Sequence, residues 1–139
     1  MKNVLIGVWV ALLLAGHAFA ADGNAIVVQE LAKSTASWNG SRLPAYPSGQ
    51  PEVAVLKITI GPGAVLPMHE HPVINAGVLL SGALTVVTKA GATLHLKAGD
   101  PIVEVVDTWH YGKNEGSAPA EIIVFYAGVT GTPITVKQK

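Results

Sequence analysis

Short runs of valine, isoleucine and threonine fill the chain from residue 51 onward, and glycine or proline interrupts them about every eight to twelve residues. β-Branched residues favour strands, and turn residues at such short intervals favour small antiparallel elements over helices. No segment has the apolar periodicity of an amphipathic helix, and the sequence contains no internal repeat. The pattern therefore predicts an all-β fold whose short strands wrap into a sandwich or a barrel.

The strands are predicted from alternating apolar and polar residues and from the turns between them. They span residues 26–31, 52–60, 65–71, 73–80, 83–89, 93–97, 101–106, 109–113, 121–127 and 134–136. The first of them is expected at the edge of a sheet, and residues 38–41 are expected to form a turn. Ser81 and Gly82 lie between two predicted strands and indicate a tight hairpin.

Residues 1–20 have the features of a secretory signal peptide. Lys2 supplies a positive start, residues 4–15 are apolar, and Ala18-Phe19-Ala20 is a small-residue cleavage site. The apolar run is short for a membrane span, and no stop-transfer pattern follows it. We therefore expect a periplasmic or secreted protein without membrane contact after cleavage. The predicted division is a signal peptide at 1–20, a lead-in with an edge strand at 21–50, and a β-barrel domain at 51–139.

Composition excludes several classes of protein. The chain has no cysteine, so a lipoprotein anchor, disulfides and thiolate metal ligands are all excluded. Nine basic and nine acidic residues leave it close to neutral, without the charge that binding to nucleic acid or anionic lipid requires. Low charge also leaves apolar surface that an oligomer interface could cover.

Three histidines are the candidate functional residues. His69 and His71 are two residues apart, so an extended backbone would direct both imidazoles to the same face of a sheet. His110 follows in a later predicted strand. Three imidazoles that converge would form a metal site with open positions for water or substrate. The alternative is a set of structural histidines in a barrel without a metal.

The spacing around the first two histidines matches a known family motif. Gly63 precedes His69 by five intervening residues, Asn75 follows His71 after three, and Gly82 follows Asn75 after six. This arrangement resembles the first motif of the cupin superfamily, which usually has glutamate where this chain has Asn75.

A second stretch resembles the second cupin motif. Gly99, His110 and Asn114 stand at the family spacing, whereas Val105 and Asp107 replace the usual proline and glycine. The resemblance is to small single-domain (cupin type 2) members of the superfamily. It implies a jelly-roll β-barrel, also called a double-stranded β-helix, and a homodimer.

The resemblance also implies one divalent transition metal near a barrel opening, bound by His69, His71, Asn75 and His110. Zinc, iron, nickel, copper and manganese are all candidates. Asparagine offers a neutral oxygen where glutamate would bring a charge, so we expect a site that favours anionic ligands and disfavours Mn²⁺. If Asn75 does not bind, three histidines and open positions remain.

Glu104 is the acid that we nominate as a catalytic proton carrier. It lies in a predicted strand among apolar residues, so it either faces outward or is a cavity acid with a raised pKa. His95 alternates with two leucines and is expected outside the site. Either Phe125 or Tyr126 should line the barrel, and Asn114 should close a turn by bonds to the backbone.

Three functions are compatible with these residues. The first is a secreted metal-dependent enzyme that acts on a small organic molecule, and the second is a non-catalytic module that binds a metal or a small ligand. The third is a domain that the metal only stabilises. The fold does not choose among them, because one architecture supports many reactions.

Overall fold

The computed structural model describes residues 26–139, and these residues form nine strands and no helix. The predicted signal peptide at residues 1–20 lies outside this range. Within the described part, no helix is long and apolar enough to cross a membrane. The strands are β1 Pro51–Ile60, β2 His69–Glu70, β3 Ile74–Ser81, β4 Ala83–Thr88, β5 Thr93–Lys97, β6 Pro101–Val103, β7 His110–Lys113, β8 Ala120–Val129 and β9 Val136–Lys137.

The strands form two antiparallel sheets. One has four strands in the order β1-β8-β3-β6, and the other has five in the order β5-β4-β7-β2-β9. A single cluster of buried side chains draws on both sheets, so they pack face to face. The prediction of an all-β, double-stranded β-helix fold is confirmed.

Strand β8 illustrates how the sequence builds this core. Ile122, Val124 and Tyr126 are buried on its inner face, whereas Ile123 and Phe125 on the outer face are exposed. This alternation follows from the two-residue period of a strand. The prediction that one of the two aromatic residues lines the barrel is confirmed, and that residue is Tyr126.

The predicted hairpin at Ser81 and Gly82 is wrong. Strand β3 belongs to the four-stranded sheet and β4 to the five-stranded sheet, so this turn carries the chain from one sheet to the other. Gly82 has a φ of 74°, and a Cβ there would lie 2.6 Å from the carbonyl oxygen of Pro119. The glycine therefore permits a sharp corner against the neighbouring chain, which local turn chemistry cannot distinguish from a hairpin.

The edge strand predicted at residues 26–31 is also wrong. This segment pairs with no strand, and Ile26 and Val28 are 93% and 89% exposed. β-Branched composition favours a strand only where a neighbouring strand accepts its hydrogen bonds. The lead-in instead docks further along, where the backbone N–H of Trp38 donates to the carbonyl of Val103 at 2.9 Å. The predicted turn at residues 38–41 is present.

Strand β6 ends at Val103, three residues before its predicted end. The backbone N–H of Val105 donates to the carboxylate of Glu104 at 2.9 Å, and Asp107 has a φ of 48°. Both features take the chain out of the sheet. This departure from regular pairing carries the backbone from Glu104 towards His110.

Candidate metal centre

Three imidazoles converge at one end of the space between the sheets. One ring nitrogen from each of His69, His71 and His110 lies within 4.8 Å of the others. The ring centres are 4.4 Å apart for His69 and His110, and 5.0 Å apart for the other two pairs. His71 and His110 are buried and His69 is partly buried. The predicted convergence of the three histidines is therefore present.

Strand pairing explains how the rings meet. His69 on β2 pairs directly with His110 on β7, which brings their side chains onto the same face. His71 lies two residues beyond His69, and its carbonyl accepts a bond from the backbone N–H of Asp107 at 2.9 Å. Register and spacing together direct the three rings inward from the five-stranded sheet.

Backbone carbonyls determine which nitrogen each ring offers. The Nδ1 atoms of His69, His71 and His110 lie 2.7, 2.8 and 2.8 Å from carbonyl oxygens of Pro67, Ile134 and Thr108, respectively. A carbonyl only accepts, so each Nδ1 carries the proton and donates it. In the neutral form of each ring, Nε2 consequently keeps its lone pair, as it does in histidines that bind metals.

Burial also favours the neutral form of two rings. Desolvation lowers the pKa of His69, and it lowers the pKa of His71 to about 4. The carbonyls of Pro67 and Ile134 act in the opposite direction, but burial has the larger effect. Neutral imidazoles are the form that a cation requires, so the donor set fits a divalent metal ion.

The carboxyl group of Glu104 faces this cluster from the other sheet. Glu104 is buried, and its Oε1 accepts bonds from Trp38 Nε1 at 2.8 Å and from the Val105 N–H at 2.9 Å. Its Oε2 lies 3.8 Å from Nε2 of His110. Of the two orientations left open by the sequence, the inward one is therefore present.

Asn75 lines the same cavity from strand β3. Its side chain is buried, and its Nδ2 lies 3.4 Å from the carbonyl of Val73. Its backbone carbonyl accepts a bond from the N–H of Glu104 at 3.0 Å. Asn75 and Glu104 are thus neighbours on adjacent segments of the four-stranded sheet, and the role of Asn75 as a ligand stays a prediction.

Two walls enclose a cavity of about 280 Å³. We call His69, His71 and His110 the histidine wall, and Asn75, Glu104 and Tyr126 the carboxylate wall. Most of the remaining lining is aliphatic, including Leu56, Ile58, Leu84, Val86, Ile102 and Val124. Burial raises the pKa of Tyr126, and the nearby Glu104 charge raises it further. The cavity is therefore apolar with a polar end.

Two residues contribute to the site beyond those that the sequence predicts. Trp38, interpreted only as part of a turn, donates its indole N–H to Glu104. A tryptophan in an otherwise polar turn was a usable signal, because this residue usually buries its ring and bonds its N–H. Lys137 also lines the cavity, opposite His69 in the register of β2 and β9.

Two other expectations are confirmed. His95 is exposed on β5, where its Nδ1 lies 3.1 Å from the Thr85 hydroxyl. The amide of Asn114 donates to the carbonyls of Ile60 and Ala118, and its oxygen accepts from the Gly116 N–H. Asn114 therefore closes the turn after β7.

Comparison with known proteins agrees with this architecture. The Cupin domain model matches residues 56–126, which is slightly more than half of the chain. Together with the two facing sheets and the inward histidines, this match establishes the class. The chain belongs to the cupin family.

Several solved structures are similar to the chain. A double-stranded β-helix protein from Klebsiella pneumoniae shares 24% identity at a TM-score of 0.53, covering 67% of this chain and 89% of that one. A DMSP lyase from Ruegeria pomeroyi shares 20% identity at 0.54, covering 62% and 43%. A variant of Bacillus subtilis oxalate decarboxylase shares 23% at 0.53, covering 61% and 23%. These identities show the shared fold. No curated protein matches the sequence.

Proposed function

We propose that this cupin binds one divalent transition metal ion through Nε2 of His69, His71 and His110. The observation that carries the proposal is that all three Nδ1 atoms contact backbone carbonyls, which leaves three lone pairs directed away from those carbonyls. Structural histidines can make such bonds singly, but here one nitrogen of each ring also lies within 4.8 Å of the others. Zinc, iron, nickel, copper and manganese remain the candidate metals.

We further propose that the protein acts on a small organic molecule with an ionised group and an apolar body. The aliphatic lining of the cavity suits the apolar part, and Lys137 at the cavity rim adds attraction for an anion. A bound divalent ion would supply Lewis acidity and lower the pKa of coordinated water. The aliphatic walls would exclude bulk water from the polar end. Glu104 as proton carrier and Asn75 as ligand are the assignments that the sequence predicts.

Metal analysis tests the first proposal. We expect close to one ion per chain in the wild type, and none in the double variant His69→Ala, His110→Ala. The matched control is His95→Ala, which removes an exposed histidine outside the cavity and should retain the metal. A metal-replete wild type without bound metal would contradict the proposal.

The second candidate is a non-catalytic binding module. It is favoured by the scarcity of acid–base groups, because Glu104 is the one acidic residue lining the described cavity and two N–H donors already hold one of its oxygens. Mass spectrometry of co-purified small molecules, followed by incubation of each with the metal-loaded protein, separates the two functions. Conversion of the ligand supports the enzyme, and its unchanged recovery supports the binding module.

Periplasmic or secreted location and homodimer formation are also proposals. Residues 1–20 support export, and the mass of the protein from the periplasm should correspond to cleavage after Ala20. Val53, Val55 and Phe125 are exposed on the outer face of the four-stranded sheet, and a second subunit could cover them. Light scattering of the purified protein measures the subunit number.

A further inference from the structure

Asn75 and Glu104 occupy neighbouring positions on two adjacent segments. Ala76 on β3 pairs with Val103 on β6, and the next backbone bond runs from the N–H of Glu104 to the carbonyl of Asn75 at 3.0 Å. Because residues that pair across antiparallel segments share a face, both side chains are directed into the cavity. A carboxylate at position 104 can therefore reach the region that a longer acidic side chain at position 75 would occupy.

The Glu104 carboxylate is held with one oxygen engaged and the other directed at the histidine wall. Oε1 accepts two N–H bonds, from Trp38 and from Val105. Oε2 lies 3.8 Å from His110 Nε2, which is beyond hydrogen-bond distance. Two atoms that each bind one ion at about 2.1 Å can lie up to about 4.2 Å apart, so Oε2 and His110 Nε2 can share a cation. Among the described residues, only the three imidazole nitrogens lie within 4.8 Å of one another, so the carboxylate must turn further towards His69 and His71 to bind the ion that they hold.

The atom of His110 that faces Glu104 is free for a ligand. Among residues 26–139, His110 is the one basic side chain within 4.0 Å of the Glu104 carboxylate. Its Nδ1 is engaged with the carbonyl of Thr108, so Nε2 is the nitrogen that faces Oε2. A divalent cation between Oε2 and Nε2 would give both atoms a partner.

We propose that Glu104 is the carboxylate ligand of the metal ion, in place of the residue at position 75. The proposal rests on the proposed function, because it requires the ion that the three histidines hold. Trp38 is then a positioning residue that fixes the carboxylate, and Asn75 lines the cavity without binding the ion. The ion gains one negative ligand, which makes the site suitable for Mn²⁺ and Fe²⁺, contrary to the sequence prediction of a carboxylate-free site.

Metal titrations of matched variants test this ligand assignment. Glu104→Gln keeps an oxygen for the Trp38 and Val105 bonds and replaces the second oxygen with an amide NH₂ group. We expect it to weaken Mn²⁺ binding about 100-fold, as measured by calorimetry and by the electron paramagnetic resonance signal of free Mn²⁺. Asn75→Ala should change the affinity by less than about threefold, because it removes no ligand. The double variant Asn75→Glu, Glu104→Gln should recover most of the wild-type affinity.

The wild-type protein provides a test that does not depend on whether a variant folds correctly. Glu104 is the one acidic residue lining the described cavity, so Mn²⁺ addition should shift a carboxylate stretching band in the difference infrared spectrum. Absence of that shift, or wild-type Mn²⁺ affinity in Glu104→Gln, would overturn the assignment. If His110→Ala still abolishes binding in that case, the histidine site survives and this inference alone fails. If the wild type binds no metal, both proposals fail.

Discussion

The two walls of the cavity are built in different ways. On the histidine wall, His69 and His110 each donate from Nδ1 to a carbonyl only two residues earlier in the chain. On the carboxylate wall, Glu104 is held by Trp38, which lies 66 residues before it. Two of the three rings on one wall are thus fixed by local geometry, and His71 by the more distant Ile134, whereas the other wall depends on the docking of a distant segment.

This difference indicates which properties each wall can control. Locally fixed rings keep their orientation as long as the short strands β2 and β7 remain paired, so the histidine wall supplies the basic ability to bind a cation. On the carboxylate wall, residues far away in the sequence can change the charge or the position of the side chains that face the cavity. We therefore expect changes to the histidine wall to abolish metal binding, and changes to the carboxylate wall to adjust its strength and selectivity.

The largest expected effect comes from His71→Ala. This change removes one of the three imidazole donors, so metal affinity should fall by more than about 100-fold. Equilibrium dialysis with Zn²⁺ and elemental analysis measure the change. A variant that still retains one ion per chain would show that the histidine wall is not the principal binding surface.

The next prediction compares glycines in the two sheets. A Cβ on Gly77 of β3 would lie 2.6 Å from the carbonyl oxygen of Ile123, whereas a Cβ on Gly112 of β7 would meet only side-chain ends of Leu66 and Leu84 at 3.3 and 3.4 Å. Gly77→Ala should therefore lower the free energy of unfolding by about 2–3 kcal/mol, because backbone must move.

Gly112→Ala is the matched variant in the sheet that carries the histidine wall. This substitution should lower the free energy of unfolding by less than about 1 kcal/mol, because the two leucine side chains can shift. Denaturant unfolding of both variants in metal-free buffer provides the comparison. Equal losses of stability would show that the backbone beside Gly77 yields as easily as the leucine side chains beside Gly112.

The sequence predicted the histidine wall well because motif spacing marks its residues, although His69 pairs with the distant His110 and His71 bonds to the distant Ile134. The two-residue spacing of His69 and His71 and the motif around His110 contain nearly all the required information. The alternation of buried and exposed residues likewise predicted most strands. The sequence did not show that Ser81 and Gly82 join two sheets, because that depends on the partners each strand finds.

The carboxylate wall was harder to predict for the same reason. The orientation of Glu104 depends on the register between β3 and β6 and on where β6 ends, and neither is encoded in a local pattern. The contribution of Trp38 required knowledge of where the lead-in docks. Long-range register and docking therefore account for what sequence analysis missed at the site.

Trp38→Phe tests whether the distant segment adjusts the carboxylate wall. The substitution keeps an aromatic ring and removes the N–H that donates to Glu104 Oε1, so metal affinity should fall about tenfold without loss of the site. Trp109→Phe, beside His110, is the matched control and should leave the affinity unchanged. Calorimetry with Mn²⁺ measures both. Equal effects of the two substitutions would indicate a general loss of packing.

The smallest expected effect is that of Lys137→Met at the rim of the histidine wall. Lys137 pairs with His69 across β9 and β2 and lines the cavity opening, but it is exposed and its charge is screened. Removing the charge should weaken the binding of a small carboxylate to the metal-loaded protein by about two- to fivefold, because exposed charges contribute less than about 1 kcal/mol. The loss should shrink as salt is added, and Lys137→Arg should bind as the wild type does. A loss that persists at high salt would mean that Lys137 contacts the ligand directly, and the anion would then be recognised at the rim as well as at the metal.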